Sequence, residues 1–295
     1  MNAMNQKKIF ALGFFDGVHL GHQALLDACR EMARELGAQP GVVTFIGHPD
    51  TLVAGKTPPL INTAADREKL LRRYGMEHVE TLTFDRTLMK TPWEDFFSLL
   101  LKKGAAGLVC GGDFRFGHKG AGNAEKLRRA CEQAGIPCTV VPDRKLDGMR
   151  ISSSHIRDLL EDGEIAEANR FLGHPHILTG EVVPGRQLGR TIGIPTANLQ
   201  LPQGLLVPAF GVYACLALVE GKPHMAVTNI GTRPTVEGHH VTVEPWLLDF
   251  DGDLYGKELT LEFHDFLRPE QKFASLEELK AQIHKDAAKT RELLG

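Results

Sequence analysis

The sequence has little of several features that would assign it to a specialised class of protein. Its 295 residues include five cysteines, an odd number, and no C-x-x-C pair, which argues against a disulfide framework or a zinc site. No apolar run approaches the roughly 20 residues that a membrane-spanning helix needs, and the polar N-terminus lacks a signal-peptide core. We therefore expect a cytoplasmic protein with reduced thiols and no membrane partner.

An excess of charge of one sign is missing as well. The sequence contains 34 Lys and Arg residues and 37 Asp and Glu residues, which gives a net charge of −3. It therefore lacks the excess of basic residues that is typical of a nucleic-acid-binding protein. We expect no nucleic-acid partner and small-molecule substrates, so local groups must hold any anionic ligand. The length and the hydrophobic content of 42% indicate two globular domains.

The first half of the chain alternates between short apolar strands and helices. Strands are predicted at residues 9–12, 41–45 and 108–110, and a helix with one apolar face at 21–36. This alternation predicts an α/β domain of Rossmann-like type, with a parallel sheet covered by helices on both faces. Two short helical patterns at 152–173 complete a first domain, predicted to span residues 1–173.

The second half, residues 174–295, changes to strands separated by turns, followed by a closing helix at 275–294. Residues 213–219 are apolar on both faces of their strand, as in a small closed barrel. The fold class predicted here is therefore a mostly-β domain, an antiparallel barrel with a C-terminal helix. The predicted strands lie at 177–183, 211–219, 224–230, 240–249 and 257–266.

The first candidate site is a glycine-rich stretch, G-F-F-D-G-V-H-L-G-H at residues 13–22, between a predicted strand and a predicted helix. Parallel sheets bind ligands at the carboxyl ends of their strands, and a helix start offers free N–H groups to a phosphate. His19 and His22 are three residues apart, so both can face one phosphate and stabilise charge that develops there. Asp16 would hold the loop in place.

Two other segments support the same site. Residues 113–117, D-F-R-F-G, also follow a predicted strand, and their two phenylalanines are expected to pack in the core. Residues 151–157 place serine hydroxyls at a helix start with an arginine one turn later. An ordinary N-cap explains that segment equally well when it is taken alone; in the functional interpretation Ser153, Ser154 and Arg157 hold the β and γ phosphates of ATP.

The second candidate site, residues 185–198, resembles a P-loop only superficially, because its glycines are one residue too close and Arg190 replaces the lysine. We interpret residues 185–193 as a flap leading into an extended segment, where Thr196 and Asn198 point to the same side. Their neutral oxygens suit a Mg²⁺ shared with ATP phosphates, although a polar turn is an equally good interpretation. Glu244, on a predicted strand, is a candidate general base.

Both motifs in this order resemble the prokaryotic bifunctional riboflavin kinase/FMN adenylyltransferase family, also called FAD synthetases. The resemblance covers residues 8–293. In the first half it rests on the H-x-G-H stretch, on G-D-F-R-F-G at 112–117 and on the I-S-S segment with Arg157. In the second half it rests on G-R at 189–190, P-T-A-N at 195–198, N-I-G-T-R-P-T at 229–235, Glu244 and F-L-R-P-E at 266–270.

The resemblance implies two ATP-dependent reactions, phosphorylation of riboflavin to FMN and adenylylation of FMN to FAD with release of pyrophosphate. For adenylyl transfer it implies ATP contacts from Gly13, Phe14, Asp16, Gly17, His19, His22, Ser153, Ser154 and Arg157, with His19 and His22 catalytic, and flavin or nucleotide contacts from His48, Asp113 and Arg115. For the kinase it implies a general base, Glu244, and a Mg²⁺ bound by Thr196 and Asn198. The ATP or flavin contacts that it implies there are Gly185, Gly189, Arg190, Gly193, Pro195, Thr196, Asn198, Asn229 and Arg268.

The chain departs from the family pattern at two positions, and two alternatives to a bifunctional enzyme stay open. The family usually reads T-F-x-P-H-P after the second strand, and this chain has Gly47 in place of the first proline, which we interpret as loosening that loop. One alternative is therefore a kinase with a weakened adenylyltransferase half. A flavin-responsive RNA-binding regulator is the other, and the absence of a basic patch argues against it. Ser154 replaces a common threonine and keeps the hydroxyl. The sequence makes no prediction of oligomeric state.

Overall fold

The computed structural model describes residues 7–48, 51, 52, 55, 57–185, 189, 193–235 and 238–295, with the backbone alone at 233–235 and 238–240. The chain divides into two compact units, one of residues 1–60 and 64–152 and the other of residues 61–63 and 153–295. The two short helices before Gly173 thus cluster with the second unit. The functional boundary that we place after Gly173 stays a prediction.

The first unit contains a five-stranded parallel sheet, as the alternation of strands and helices predicts. Its strands are β1 (Lys8–Leu12), β2 (Gln39–Ile46), β3 (His78–Thr83), β4 (Ala105–Gly111), the short pair β5 (Arg115–Phe116) and β6 (Gly122–Asn123), β7 (Cys138–Val141), and the short pair β8 (Lys145–Leu146) and β9 (Met149–Arg150). The order in the main sheet is β3-β2-β1-β4-β7. The winding direction changes beside β1, which is where such sheets bind ligands.

Helices cover both faces of this sheet. They are α1 (Leu20–Leu36), α2 (Ala64–Arg73), α3 (Arg86–Lys90), α4 (Trp93–Lys102) and α5 (Ala124–Gln133), with a 3₁₀ turn at His118–Gly120. Phe10 and Leu12 are buried in one cluster with the apolar faces of α4 and α5. The helix α1 covers the other face so closely that a Cβ at Gly107 would lie 2.6 Å from Met32 Sδ.

The second unit is a closed six-stranded barrel with helices attached, which confirms the predicted fold class. Its helices are α6 (Ser153–Glu161), α7 (Ile165–Leu172) and α8 (Leu276–Leu294). Its strands are β10 (His176–Val183), β11 (Asn198–Gln200), β12 (Gly211–Val219), β13 (Lys222–Thr235), β14 (Gly238–Leu247) and β15 (Glu258–Arg268), in the antiparallel order β10-β11-β14-β13-β12-β15. Tyr213, Ala214 and Cys215 are all fully buried, as their predicted position in a barrel requires.

Specific hydrogen bonds attach the helices of this unit. The Asn169 side chain on α7 donates to the carbonyl of Phe263 at 2.8 Å and accepts from the amide of His176 at 2.7 Å. The helix α8 begins at the predicted cap, where the Ser275 hydroxyl accepts from the Glu278 amide at 3.2 Å and the Glu278 carboxylate accepts from the Ala274 amide at 3.1 Å.

Three features of the described residues concern the classes that the sequence argues against, namely proteins with disulfides, with metal sites or with membrane-spanning helices. All five cysteines are free thiols, four of them buried. No group of three histidine, cysteine or acidic side chains within the described ranges is placed to hold a metal ion. None of the helices that the structure describes is both long enough and apolar enough to cross a membrane.

Candidate active sites

The first candidate site begins in a tight loop between β1 and α1. Gly17 has a φ of +82°, and two bulky residues share this left-handed conformation, Phe15 at +60° and Val18 at +41°. Such backbone costs about 1–3 kcal/mol per residue and persists only where the surroundings enforce it, most often at functional sites. Phe15 and Val18 are fully buried, so the core holds the loop in place and directs the chain into α1.

His19 and His22 lie together at the start of α1, as their spacing predicts. Their rings are stacked, with centroids 3.6 Å apart. His19 is the N-cap residue, and its Nδ1 accepts from the His22 amide at 3.2 Å, so a neutral His19 carries its proton on Nε2. Burial, with smaller effects from the charges of His19 and Arg67, holds the pKa of His22 well below its ordinary value, which keeps this ring neutral.

The loop after β2 lies beside the same glycine-rich stretch. The Thr44 hydroxyl donates to the carbonyl of Phe14 at 2.9 Å, and the Phe14 ring contacts the His48 ring edge-on, with centroids 4.8 Å apart. Gly47 has a φ of +86°, whereas a proline ring fixes φ near −65°. The departure at position 47 therefore gives the backbone a different path from the one a proline would impose, beyond the loosening that we inferred from the sequence.

Arg67 on α2 is a component of this site that sequence reasoning missed. Its side chain is buried, with 2% exposure, and its guanidinium carbon lies 4.5 Å from the centre of the Phe14 ring. Nη2 donates to the carbonyl of Phe45 at 2.6 Å. Burial lowers the pKa of Arg67, and the charge of Asp16 opposes that shift. Asp16 is buried as well, so the site contains two charged side chains withdrawn from water, one in the loop and one on α2.

The predicted flavin or nucleotide contacts after β4 are on the surface of the first unit. The Asp113 carboxylate accepts a 2.5 Å hydrogen bond from Arg150, which also pairs with Asp143 at 3.0 Å. Arg115 is exposed at the start of β5. Phe116 is buried and stacks on Phe114 at 5.4 Å, which confirms the predicted packing of these two rings. Sequence reasoning missed Arg150.

The serine segment divides at the boundary between the two units. Ile151 belongs to the first unit, and its carbonyl oxygen would lie 3.8 Å from a Cβ at Gly21, so the segment begins beside the start of α1. Ser153, Ser154 and Arg157 are on α6 of the second unit. Their action together with the histidine pair stays a prediction.

The second candidate site is a cavity of about 540 Å³ in the second unit, between one face of the barrel and α8. It brings together Gly189, Thr196, Asn229, Glu244 and Arg268, five of the residues predicted for the kinase. The other lining residues give it apolar walls and an acidic edge: Ile194, Val212, Val227, Trp246, Glu270, Gln271, Phe273, Leu276, Leu279, Ile283 and Asp286.

Strand register explains why these side chains meet. Asn229 on β13 pairs directly with Glu244 on β14, and Val227 pairs with Trp246 two residues along. Side chains two residues apart share a face of a strand, and directly paired side chains are neighbours on it. One barrel face therefore places an amide and a carboxylate beside an indole ring.

A buried ion pair forms another wall of the cavity. Arg268 Nε and Nη2 donate to the two oxygens of Asp286 on α8 at 2.8–3.2 Å. Asp286 also accepts from Gln282 at 2.9 Å, and the side chains of Arg268 and Asp286 are only 16% and 5% exposed. Sequence reasoning assigned Arg268 to the site and missed Asp286, which holds the guanidinium in place.

Thr196 lies where the large cavity meets a second, smaller recess of about 80 Å³. The small recess has a partly polar wall, which is lined by Val182, Pro195, Thr196, Ala197, Leu247, Phe250, Gly252, Asp253, Leu254 and Tyr255. Thr196 lines both spaces, so a ligand in either of them lies beside this residue.

Two glycines of the predicted flap permit close packing around Thr196 and Asn198. A Cβ at Gly189 would collide with the carbonyl oxygen of Ile194, and a Cβ at Gly185 would collide with the Asn198 side-chain amide. Asn198 begins β11 opposite Val183 and is not among the described residues that line the two spaces. Gly193 is exposed with a φ of +76°. Arg190 and most of the flap lie outside the described residues.

Comparison with known proteins gives a consistent result for each half of the chain. A family model described as FAD synthetase matches residues 1–155, and one described as riboflavin kinase matches residues 172–294. The bifunctional riboflavin kinase/FMN adenylyltransferase of Escherichia coli K12 is 40% identical over 97% of this chain and 93% of its own length. The protein of the same name from Listeria monocytogenes is 34% identical over 96% and 91%.

A solved structure is similar over the same extent. A Streptococcus pneumoniae protein described as a macrolide-efflux protein has a TM-score of 0.88 and 32% identity, covering 97% of this chain and 94% of its own. Two family models that together span both units, and relatives aligned over nearly the full length, agree with both sets of motifs. The chain belongs to the bifunctional riboflavin kinase/FMN adenylyltransferase family.

Proposed function

We propose that this chain phosphorylates riboflavin with Mg-ATP in its second unit and adenylylates FMN with a second ATP in its first. The observation that carries the proposal is the position of Thr196 between a large apolar cavity and a small polar recess. A kinase needs such a junction, because the acceptor hydroxyl and the terminal phosphate must meet while the bodies of the two substrates stay apart. Two family models, one for each half of the chain, support this activity rather than efflux.

The large cavity suits riboflavin. A flat tricyclic ring system can lie against Trp246 and Phe273 between the apolar residues of α8 and the barrel, while a ribityl chain extends toward Asn229 and Glu244. Its terminal hydroxyl is a poor nucleophile, and a positioned carboxylate takes its proton as the bond to phosphorus forms. We assign that role to Glu244, and we assign orientation of the ribityl hydroxyls to Asn229.

The small recess suits the phosphate end of ATP. Thr196 lines it, and Asn198, two residues further along the chain and not among its described lining residues, is the second residue that we propose for a magnesium ion. Thr196 and Asn198 offer neutral oxygens, which Mg²⁺ accepts alongside phosphate oxygens and water. The close approach of Gly185 restricts the Asn198 amide, as a ligand residue requires. Bound Mg²⁺ would neutralise charge on the transferring phosphate. Gly189, Gly193, Pro195 and Arg190 complete this proposed nucleotide site with Gly185.

In the first unit we propose that the FMN phosphate attacks the α-phosphorus of ATP and that pyrophosphate leaves. His19 can donate from Nε2, and the start of α1 adds free backbone N–H groups and a positive dipole end. Both are aimed at the phosphate on which charge develops, so they stabilise the transition state more than the bound substrate. Gly13, Gly17 and Asp16 shape the loop. The resemblance assigned Phe14 to ATP, and we place it instead on the flavin side with His48, because the two rings are in contact.

The proposal for phosphorylation is tested by Glu244→Gln. This variant keeps size and hydrogen bonding and removes the base, so riboflavin turnover should fall roughly 10²–10⁴-fold with ATP binding nearly unchanged. FAD formation from supplied FMN should continue at the wild-type rate, and Glu258→Gln, on an exposed position of β15, is the matched control. Normal phosphorylation by Glu244→Gln would place the base elsewhere, and loss of FAD formation from FMN would refute the two-site division.

The proposal for adenylyl transfer is tested by His22→Ala. Removal of a transition-state donor costs about 10²–10³-fold in turnover, so FAD formation from FMN should fall by that factor while riboflavin phosphorylation is retained. Undiminished FAD formation would remove His22 from the mechanism. Product analysis of the wild-type chain with riboflavin and Mg-ATP, measuring FMN and FAD separately, distinguishes the bifunctional enzyme from a kinase alone. Dependence on ATP and five free thiols support a cytoplasmic location.

A further inference from the structure

The guanidinium of Arg67 has hydrogen-bonding capacity that the described residues leave unused. Nη2 donates to Phe45, whereas the buried Nε and Nη1 have no hydrogen-bond partner within the described part of the chain. A buried charge with unmade hydrogen bonds destabilises a folded protein. Its retention here requires an explanation, and a ligand that accepts from these two groups supplies one.

The position of Arg67 defines where such a ligand would lie. The guanidinium contacts the Phe14 ring and the carbonyl of Phe45, so it lies beneath the loops that follow β1 and β2. These are carboxyl ends of adjacent parallel strands, the edge at which this class of sheet binds ligands. It also lies close enough to His22 for its charge to affect that imidazole.

The chemical properties of the Arg67 guanidinium indicate which class of ligand it would bind. A guanidinium carries a permanent positive charge, and its N–H groups donate to the oxygens of phosphates and carboxylates. Nε and Nη1 lie on opposite sides of the group, so each offers a separate donor. Asp16 provides a counter-charge that opposes the lowering of the Arg67 pKa, and Nε and Nη1 have no hydrogen-bond partner among the described residues. Of the phosphates in the proposed reaction, we assign the flavin phosphate to this group, because the rings of Phe14 and His48, which we propose for the flavin side, are in contact and Phe14 also contacts the guanidinium. The triphosphate is expected at the glycine loop and the helix start.

We infer that Arg67 binds the phosphate monoester of FMN and positions it beside the histidine pair for attack on ATP. The inference rests on the adenylyl transfer proposed above. It makes Arg67 the residue that distinguishes FMN from riboflavin in the first unit. The Phe14 ring lies against the guanidinium, 4.5 Å from its central carbon.

The test is steady-state FAD formation by Arg67→Met and Arg67→Lys in the full chain, with FMN varied at saturating Mg-ATP and Mg-ATP varied at saturating FMN. Arg67→Met keeps a long side chain and removes the charged donors, so KM for FMN should rise about tenfold or more with KM for ATP within about twofold. Arg67→Lys keeps a positive charge but replaces the planar guanidinium donors by one ammonium group, and it should give a smaller, FMN-specific rise.

The matched control is Arg72→Met on the same helix, since Arg72 is half exposed and pairs with Glu68; both KM values should stay unchanged. Equal rises in both KM values for Arg67→Met, or an unchanged KM for FMN, would overturn the inference. If Arg67→Met does not fold, Arg67→Lys decides by the same criteria. Absence of FAD formation by the wild-type chain would instead refute the proposed adenylyl transfer.

Discussion

The ion pair between Arg268 and Asp286 allows a quantitative test of how burial affects the contribution of an ion pair to stability. The helix α8 also takes part in a second, solvent-exposed Arg–Asp pair. Arg291 on α8 donates to Asp249 at 2.8 and 3.0 Å, but the two side chains are 46% and 80% exposed. Removing one partner of a buried pair costs about 3–5 kcal/mol because the other charge remains buried. An exposed pair contributes about 0–1 kcal/mol. The donor distances are similar, but Arg268 donates through Nε and Nη2 and Arg291 through Nη2 alone, so the two pairs differ in burial and in the number of donors.

We therefore expect Asp286→Asn to destabilise the second unit by about 3–5 kcal/mol and Asp249→Asn by at most about 1 kcal/mol. Asparagine tolerates the left-handed backbone of residue 249, whose φ is +56°. The chain has two tryptophans, so a Trp93→Phe background leaves Trp246 fluorescence as a reporter of the second unit alone. Urea unfolding monitored in this way gives the free energy of unfolding directly.

Asp286→Asn should also raise KM for riboflavin, since a guanidinium without its carboxylate no longer keeps one position in the cavity wall. Added salt should remove most of any effect of Asp249→Asn and little of the effect of Asp286→Asn, because exposed charges are screened and buried charges are not. Equal destabilisation by the two substitutions would refute the argument that burial determines the contribution of each pair.

Three further predictions concern single residues. Burial, assisted by the charge of His174, lowers the pKa of His176 to about 3; the unfolded state, with a pKa near 6.5, then binds more protons between those values. The free energy of unfolding should therefore fall as pH drops below about 6.5. Urea unfolding at several pH values measures this slope, and in His176→Leu the slope should correspond to about one proton fewer taken up on unfolding. Gly47→Pro, which imposes a φ near −65° on a position at +86°, should lower both thermal stability and FAD formation; increased FAD formation would contradict it. Gly189→Ala, whose Cβ meets the carbonyl of Ile194, should reduce riboflavin phosphorylation and leave FAD formation from supplied FMN intact.

The elements predicted correctly from the sequence are those whose signal is local and long enough to repeat. The apolar face of α1 repeats over 17 residues. The strand predicted at 211–219, with residues 213–219 apolar on both faces, matches β12. The five-residue helix α3, capped by Asp85, and the three-residue strand β11 were not predicted. Elements this short complete too few periods for a pattern to be read.

Proximity between distant segments was predictable only where sequence spacing controls it. The contact between His19 and His22 follows from positions i and i+3 on one helix. The pairing of Asn229 with Glu244 depends on the register of a hairpin, and a shift of one residue would place the two side chains on opposite faces. Similarly, Asp286 is one of several charged residues on α8, and only the packing of that helix distinguishes it from its exposed neighbours.

The two buried arginines illustrate how far a residue type can differ in role between sites. Every nitrogen of Arg268 donates within the protein, to Asp286 or to the carbonyl of Pro269, so this guanidinium is held as part of the cavity wall. Among the residues that the structure describes, the Arg67 guanidinium donates only to Phe45, and its buried Nε and Nη1 have no partner. The resemblance assigned the ligand-binding role to Arg268, whereas unused donors point to Arg67. Hydrogen-bond capacity left over after folding is a property of the packed structure, which explains why residue type and motif did not identify Arg67.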